Sequence, residues 1–214
     1  MSVLFLGKKD DRHCADALEF TQQMFSDVTA RFGEWGDKFD ADLVHGGFDI
    51  VISYLSRWIV PKSLLESTGV AINFHPASPH YPGYGCTSLA LYEGAEEFGV
   101  TCHFMAPAVD TGAIIATKRF AVFESDTVAT LLKRSYDFQL ALYYDVVGQL
   151  AAGKQLSPSG EQWTRTAFTR KQFNALKELT PEMPQEELKR RIRAFTFNQW
   201  GPTMEVNGIL FKVA

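Results

Sequence analysis

The sequence predicts a Rossmann-like, doubly wound α/β fold with a mostly parallel sheet, followed by a small α+β appendage. Two short apolar runs, residues 3–6 and 49–55, lack polar alternation, as do strands covered on both faces. Helical patterns separate these runs from each other and from a third at 71–75, an alternation that favours parallel strands joined by crossover helices. From about Leu156 the segments become shorter and more polar, which divides the chain into a main domain, 1–155, and a small C-terminal subdomain, 156–214.

Taken in order, the first strand ends at Gly7, and the turn after it, Lys8-Lys9-Asp10-Asp11-Arg12, lacks the glycines that would cradle a phosphate. Cys14, Ala17, Leu18, Met24 and Phe25 share one side of a helix of about three turns. Residues 28–32 form a second strand, punctuated by Gly33-Glu34-Trp35-Gly36-Asp37. The third strand, 49–55, is followed by Ser56 to Val60 at its C-terminal end, where open α/β sheets bind ligands. A short helix, 61–67, leads into the strand 71–75. A helix over 87–97, a strand over 100–105, a turn crowned by Asp110 and an extended return over 113–123 come next. Ser125 or Asp126 caps a long helix whose apolar side includes Leu131, Leu142, Tyr143, Val146 and Leu150, and Gly153 ends it. In the tail, the alternation at 163–168 reads as a partly exposed strand and residues 185–195 as a helix. Asn207-Gly208 reads as the turn of a type I′ hairpin.

The chain has 214 residues, 46% of them hydrophobic and 21% charged, enough for one sizeable core. A net charge of -4 argues against general nucleic-acid binding, which needs a basic field. Cys14, Cys86 and Cys102 show no metal or disulfide spacing, and the five histidines show no ligand spacing, so no metal is expected. The N-terminal apolar run is too short for a signal peptide or a membrane span, and the protein is expected in the cytoplasm, away from membranes.

The chemistry concentrates at Asn73-Phe74-His75-Pro76. Alternation puts Asn73 and His75 on one strand face, and Asp110 lies in a turn that a neighbouring strand brings to the same edge. An amide can donate to an oxygen that becomes negative, and a carboxylate beside an imidazole suits it for proton transfer. The same residues also suit a loop cap and a satisfied core histidine, and spacing alone does not separate these readings.

A resemblance does. Asn73-Phe74-His75-Pro76-Ala77-Ser78-Pro79, Tyr84-Gly85, the run Gly99 to Met105, and Val109-Asp110-Thr111-Gly112-Ala113-Ile114-Ile115 follow one another as in the 10-formyltetrahydrofolate-dependent formyltransferases. The chain resembles that family best over residues 49–135. The resemblance implies a formyltransferase fold for 1–155 and a catalytic triad of Asn73, His75 and Asp110. In it His75 takes part in proton transfer, Asn73 polarises the formyl oxygen and Asp110 orients His75. It further implies that 10-formyltetrahydrofolate lies along Tyr54, Leu55, Ser56, Arg57, Trp58 and Ile59, and against Val109 and Gly112, largely through backbone groups. Trp58 and Ile59 suit the flat ring or an ordinary core equally well. His103 shares a strand face with Thr101 and either supports His75 from behind or is a buried residue satisfied by a backbone carbonyl.

Within the family, the missing glycine-rich turn departs from glycinamide ribonucleotide formyltransferases. The length and acidity depart from methionyl-tRNA formyltransferases, and the start at Val3 from hydrolases with a leading regulatory domain. The loop from His75 to Cys86 and the stretch Arg191 to Phe197 resemble the sugar N-formyltransferases, which act on nucleotide-linked amino sugars for lipopolysaccharide or O-antigen. That branch implies acceptor contacts at Tyr81, Gly83, Tyr84 and His103, and a homodimer formed through the tail. The cluster Lys189-Arg190-Arg191-Arg193 is a solvated helix face or a diphosphate site. Another amine acceptor, aminoacyl-carrier or glycinamide-type, and a folate- or nucleotide-binding module without turnover are the alternatives.

Overall fold

The structure, a computed structural model, describes residues 1–213. Its main sheet contains β1 (Ser2–Lys8), β2 (Asp27–Gly33), β3 (Ile50–Tyr54), β4 (Val70–His75), β5 (Glu97–Phe104) and β6 (Ile114–Ala121), in the order β2-β1-β3-β4-β5-β6. Strands β1 to β4 run parallel, and β5 and β6 add antiparallel to β4 and to each other. The mostly parallel α/β sheet is therefore present, with an antiparallel margin at the site.

Helices α1 (Arg12–Met24), α3 (Cys86–Glu93) and α4 (Val128–Ala151) lie on one face, over a core that includes Phe5, Ile52, Ile72, Phe74, Cys102, Leu131 and Tyr143. The second face carries a smaller cluster, Leu4, Leu6, Val51 and Leu64, beneath α2 (Lys62–Ser67). Strand β4 ends where Pro76 cannot donate to a ladder. The carbonyls there turn to α4 instead: Gln139 Nε2 donates to Phe74 O at 2.6 Å and Ser135 Oγ to Pro76 O at 2.5 Å. These two polar side chains, one turn apart on α4 and fully buried, lock the strand end that carries the site.

Several boundaries differ from the sequence reading. The helix expected to 97 stops at Glu93, because Gly94 takes a left-handed conformation (φ 70°) and residues from Glu97 pair with β6. The long helix is capped by Thr127 in a reciprocal pair with Thr130, and not by Ser125 or Asp126. Asp126 instead accepts from Phe123 N and Arg134.

The tail forms α5 (Arg170–Lys177), α6 (Gln185–Phe195) and a small sheet of β7 (Glu178–Leu179), β8 (Thr203–Val206) and β9 (Ile209–Lys212). The hairpin turn has φ 51° at Asn207 and 77° at Gly208, as a type I′ turn requires. The expected strand at 163–168 is absent: that segment is irregular and lies back against the main sheet's loops. Its alternation has a different cause, given below.

Candidate active site

Register puts four polar side chains on one face of two adjacent strands. Asn73 pairs with His103 and His75 with Thr101 across the β4–β5 ladder, while Phe74 and Cys102 face the apolar core. Asp110 reaches the same face from the turn between β5 and β6, at φ 49°, and is buried there.

The contacts form one network. His75 Nδ1 is 3.3 Å from Asp110 Oδ2, and His103 Nε2 is 3.4 Å from Asp110 Oδ1. Gly83 N donates to Asp110 Oδ2 at 2.8 Å. Asn73 Nδ2 lies 3.1 Å from His103 Nε2, and His103 Nδ1 donates to Phe104 O at 2.7 Å. His75 Nε2 donates to Tyr81 O at 2.9 Å. A carbonyl accepts only, so Nε2 of His75 carries a proton, and a second proton on Nδ1 would meet the Asp110 carboxylate. The pocket thus satisfies the imidazolium in full, the state a general base reaches after taking a proton. Burial alone would raise the Asp110 carboxyl, but the neighbouring His75, the hydrogen bond from His103 and Gly83 N–H outweigh it and hold the pKa at about 2. His103 Nε2 lies between Asp110 Oδ1 and Asn73 Nδ2 and serves only one of them at a time, as donor to the carboxylate or as acceptor for the amide, and the second N–H of Asn73 is committed to neither.

Trp163 covers this cluster. Its ring stands edge-on, 5.1 Å from His103 and 5.9 Å from His75 between centroids, and Nε1 donates to Gly112 O at 2.8 Å. Thr164 N and Phe168 N bond Pro79 O and Pro82 O, and Arg165 pairs with Glu93 and lies over the Tyr81 ring. The alternation at 163–168 therefore serves a strap across the site. Gly83 (φ 90°) fits beneath it because a Cβ there would come within 2.5 Å of Phe168 O.

The other expected residues are distributed as follows. The Tyr81 ring is buried against Phe98 and contributes its carbonyl, so it does not flank an acceptor. Burial, with Glu93 nearby, pushes its phenol up to about 12. Tyr84 stands at the rim, on Phe173 and near Trp35. Tyr54 is core. Leu55 turns the chain at φ 54° into Ser56 and Arg57. Trp58 plugs the space over Gly33 beside Phe39, partly buried against the second-face cluster, with its Nε1 donating to Asp37 O. Ile59 and Val109 are exposed, and Gly112 lies against Phe104 O with no room for a side chain. A backbone carbonyl, Phe104 O, holds one nitrogen of His103, while the other faces Asp110 and Asn73. Burial raises all three cysteine thiols, which leaves them poor nucleophiles. Trp163 was beyond sequence reasoning, because its partner Gly112 is 51 residues away.

Among the described residues no group of three or more His, Cys, Asp or Glu is placed to hold a metal ion, and no helix is long and apolar enough to cross a membrane.

The formyl transferase family model matches residues 20–147. The chain is 25% identical to a GDP-perosamine N-formyltransferase of Brucella melitensis, over 96% of this chain and 79% of that one. It superimposes on a Shewanella sugar N-formyltransferase with a TM-score of 0.79 at 21% identity, covering 100% of this chain and 96% of that chain. On a Helicobacter canadensis N-formyltransferase, solved with folinic acid and dTDP-3-aminofucose, the TM-score is 0.73 at 18% identity, with 97% and 85% covered.

Proposed function

The chain belongs to the formyl transferase family, and on that premise we propose that it moves a formyl group from 10-formyltetrahydrofolate to the amine of a nucleotide-linked amino sugar. The observation that carries the reading is the network of Asn73, His103, Asp110 and His75 on one face, at the strand ends where the family model matches. The amine attacks the formyl carbon, and the carbonyl oxygen gains charge opposite the free donor of Asn73. The nitrogen loses its proton to His75 Nδ1, the ring nitrogen not committed to Tyr81 O, and the Asp110 carboxylate beside it stabilises the imidazolium so formed. Collapse breaks the bond to the folate nitrogen, which takes the proton back from the His75 imidazolium and leaves as tetrahydrofolate, and the formamide departs.

The acceptor class is supported by the Brucella melitensis relative, a GDP-perosamine N-formyltransferase, and by the Helicobacter canadensis enzyme, solved with dTDP-3-aminofucose. The co-substrate lies along residues 54–59 and the Val109–Gly112 turn, mainly on backbone groups. An amine-acceptor screen with 10-formyltetrahydrofolate, following release of tetrahydrofolate, tests the reading. Turnover only with a non-sugar amine sinks the acceptor class, and full activity in a His75→Ala/Asp110→Ala double variant sinks the mechanism.

The tail, 156–214, is read as a small subdomain through which two copies pair, and the compartment as the cytoplasm. Support for the pairing is β9, whose four residues are all exposed and which is bonded on one side only, to β8. Support for the compartment is three free cysteines. Sedimentation of wild type against Leu210→Lys tests the pairing, and unchanged mass would sink it.

A further inference from the structure

The polar face accounts for formyl transfer but leaves the nucleotide end of the acceptor without a partner. The cations that the sequence offered for it are engaged. Arg190 and Arg191 both bond Glu187, Lys189 bonds Glu186, and Arg193 is bound to the carbonyls of Asp126 and Phe123. The β1–α1 turn is closed as well. Asp11 caps α1 by accepting from His13 N and Cys14 N and pairs with Lys8 at 2.9 Å, so a carboxylate already occupies the position a phosphate would take.

One cation at the C-terminal edge of the sheet is different. Arg57, three residues beyond β3, is half-buried, and among the described residues its guanidinium makes no hydrogen bond and no ion pair to the protein. It stacks on the indole of Trp35 at 4.8 Å. Trp35 is 62% exposed, and its ring lies 6.3 Å from that of Tyr84, which Phe173 braces from behind at 5.0 Å. Trp35 follows the edge strand β2 and Tyr84 follows β4, so the two rings meet above the ends of β1 and β3, which separate those strands. In register Gly7 lies opposite Tyr54 and Tyr54 opposite Phe74. The β1 tip is thus two strand spacings, about 10 Å, from the β4 tip, about the reach of one hexose and its phosphate.

We propose that Trp35 and Arg57 form the nucleotide subsite, with the base stacked on the free face of Trp35 and the diphosphate on Arg57. The proposal rests on the nucleotide-sugar reading given above. A half-buried guanidinium with no counter-ion among the described residues has the Trp35 ring as its partner until an anion docks, and its planar fork matches a phosphate. A large exposed indole offers the sequence-tolerant stacking surface that a base needs. Contact of the folate with the backbone of 54–59 leaves the Arg57 side chain free for this role.

The test is calorimetric and fluorimetric titration of the full chain with GDP, dTDP and UDP, in wild type, Trp35→Leu and Arg57→Gln, with circular dichroism to confirm folding. At least one nucleoside diphosphate is expected to quench wild-type tryptophan fluorescence, and Trp35→Leu to lose that quench and weaken binding by about ten- to a hundredfold. Arg57→Gln is expected to raise KM for the nucleotide-linked amino sugar at least about tenfold, while KM for 10-formyltetrahydrofolate holds. Equal affinity in wild type and Trp35→Leu overturns the subsite and leaves the nucleotide-sugar reading standing. A rise in the folate KM alone with Arg57→Gln returns that side chain to the folate and also overturns it. No binding of any nucleoside diphosphate, and no turnover with a nucleotide-linked amino sugar by an enzyme that still formylates another amine, overturns both.

Discussion

The two faces of β4 and β5 have opposite characters although they share one backbone. Towards α4, Ile72, Phe74, Val100 and Cys102 pack in a dry core. On the reverse, Asn73, His75 and His103, joined by Asp110, form a buried polar network under the Trp163 strap. A shift of one residue separates stability from chemistry. The lesson is that the apolar face holds the polar one rigid: ladder register fixes the Asn73–His103 pair, and α4 fixes the strand end through Gln139 and Ser135.

Substitutions on each face should therefore separate activity from stability. Asp110→Asn should lower kcat on the order of a thousandfold in a variant that still folds, because Asn tolerates positive φ and keeps an acceptor for Gly83 N, while loss of the ionised carboxylate lowers its stability at neutral pH. A variant that fails to fold would show that the network is structural. On the other face, Phe74→Ala should cost about 3–5 kcal/mol in chemical denaturation, while the protein that remains folded keeps most of its kcat. Comparable losses of kcat from both would collapse the distinction.

Asn73→Ala should lower kcat about a hundredfold, with KM for the amine nearly unchanged, as steady-state kinetics would show. A KM effect alone would make Asn73 a binding group. Acid titration sharpens the comparison again. Asp110, held at about 2, contributes stability that is complete above the ordinary carboxylate pKa near 4 and is lost as pH falls towards 2. Between those values the stability gap between wild type and Asp110→Asn should narrow in denaturant melts, and a constant gap would contradict it. The smallest effect is expected at the strap. Trp163→Phe removes one hydrogen bond to Gly112 O while keeping an aromatic cover, and kcat should fall by no more than about tenfold.

Much of the fold was legible because it is written in local periodicity. Residues 49–55 and 71–75 read as buried strands, and Asn207-Gly208 as a type I′ turn, since alternation and positive φ are properties of a few adjacent residues. Where local signals compete, the pattern misleads: helical residues continue to 97 although Gly94 ends the helix, and Ser125 and Asp126 suit a cap although Thr127 supplies it. The pairing of Asn73 and His75 on one face was visible for the same reason as the strands. The side-chain role of Tyr81 was not, because ring and carbonyl point in different directions and only packing decides which meets the site.

By itself, then, the sequence determined the α/β alternation, the strand that carries an amide and an imidazole on one side, and the turn that offers a carboxylate. Covalent geometry fixes these over a few residues. Only the tertiary structure decided that His103 joins Asp110, that Trp163 closes over both histidines, that Arg190 and Arg191 of α6 are taken up by Glu187, and that Arg57 stands without an ion pair among the described residues. Those facts depend on groups tens of residues apart, whose meeting is set by the packing of whole elements.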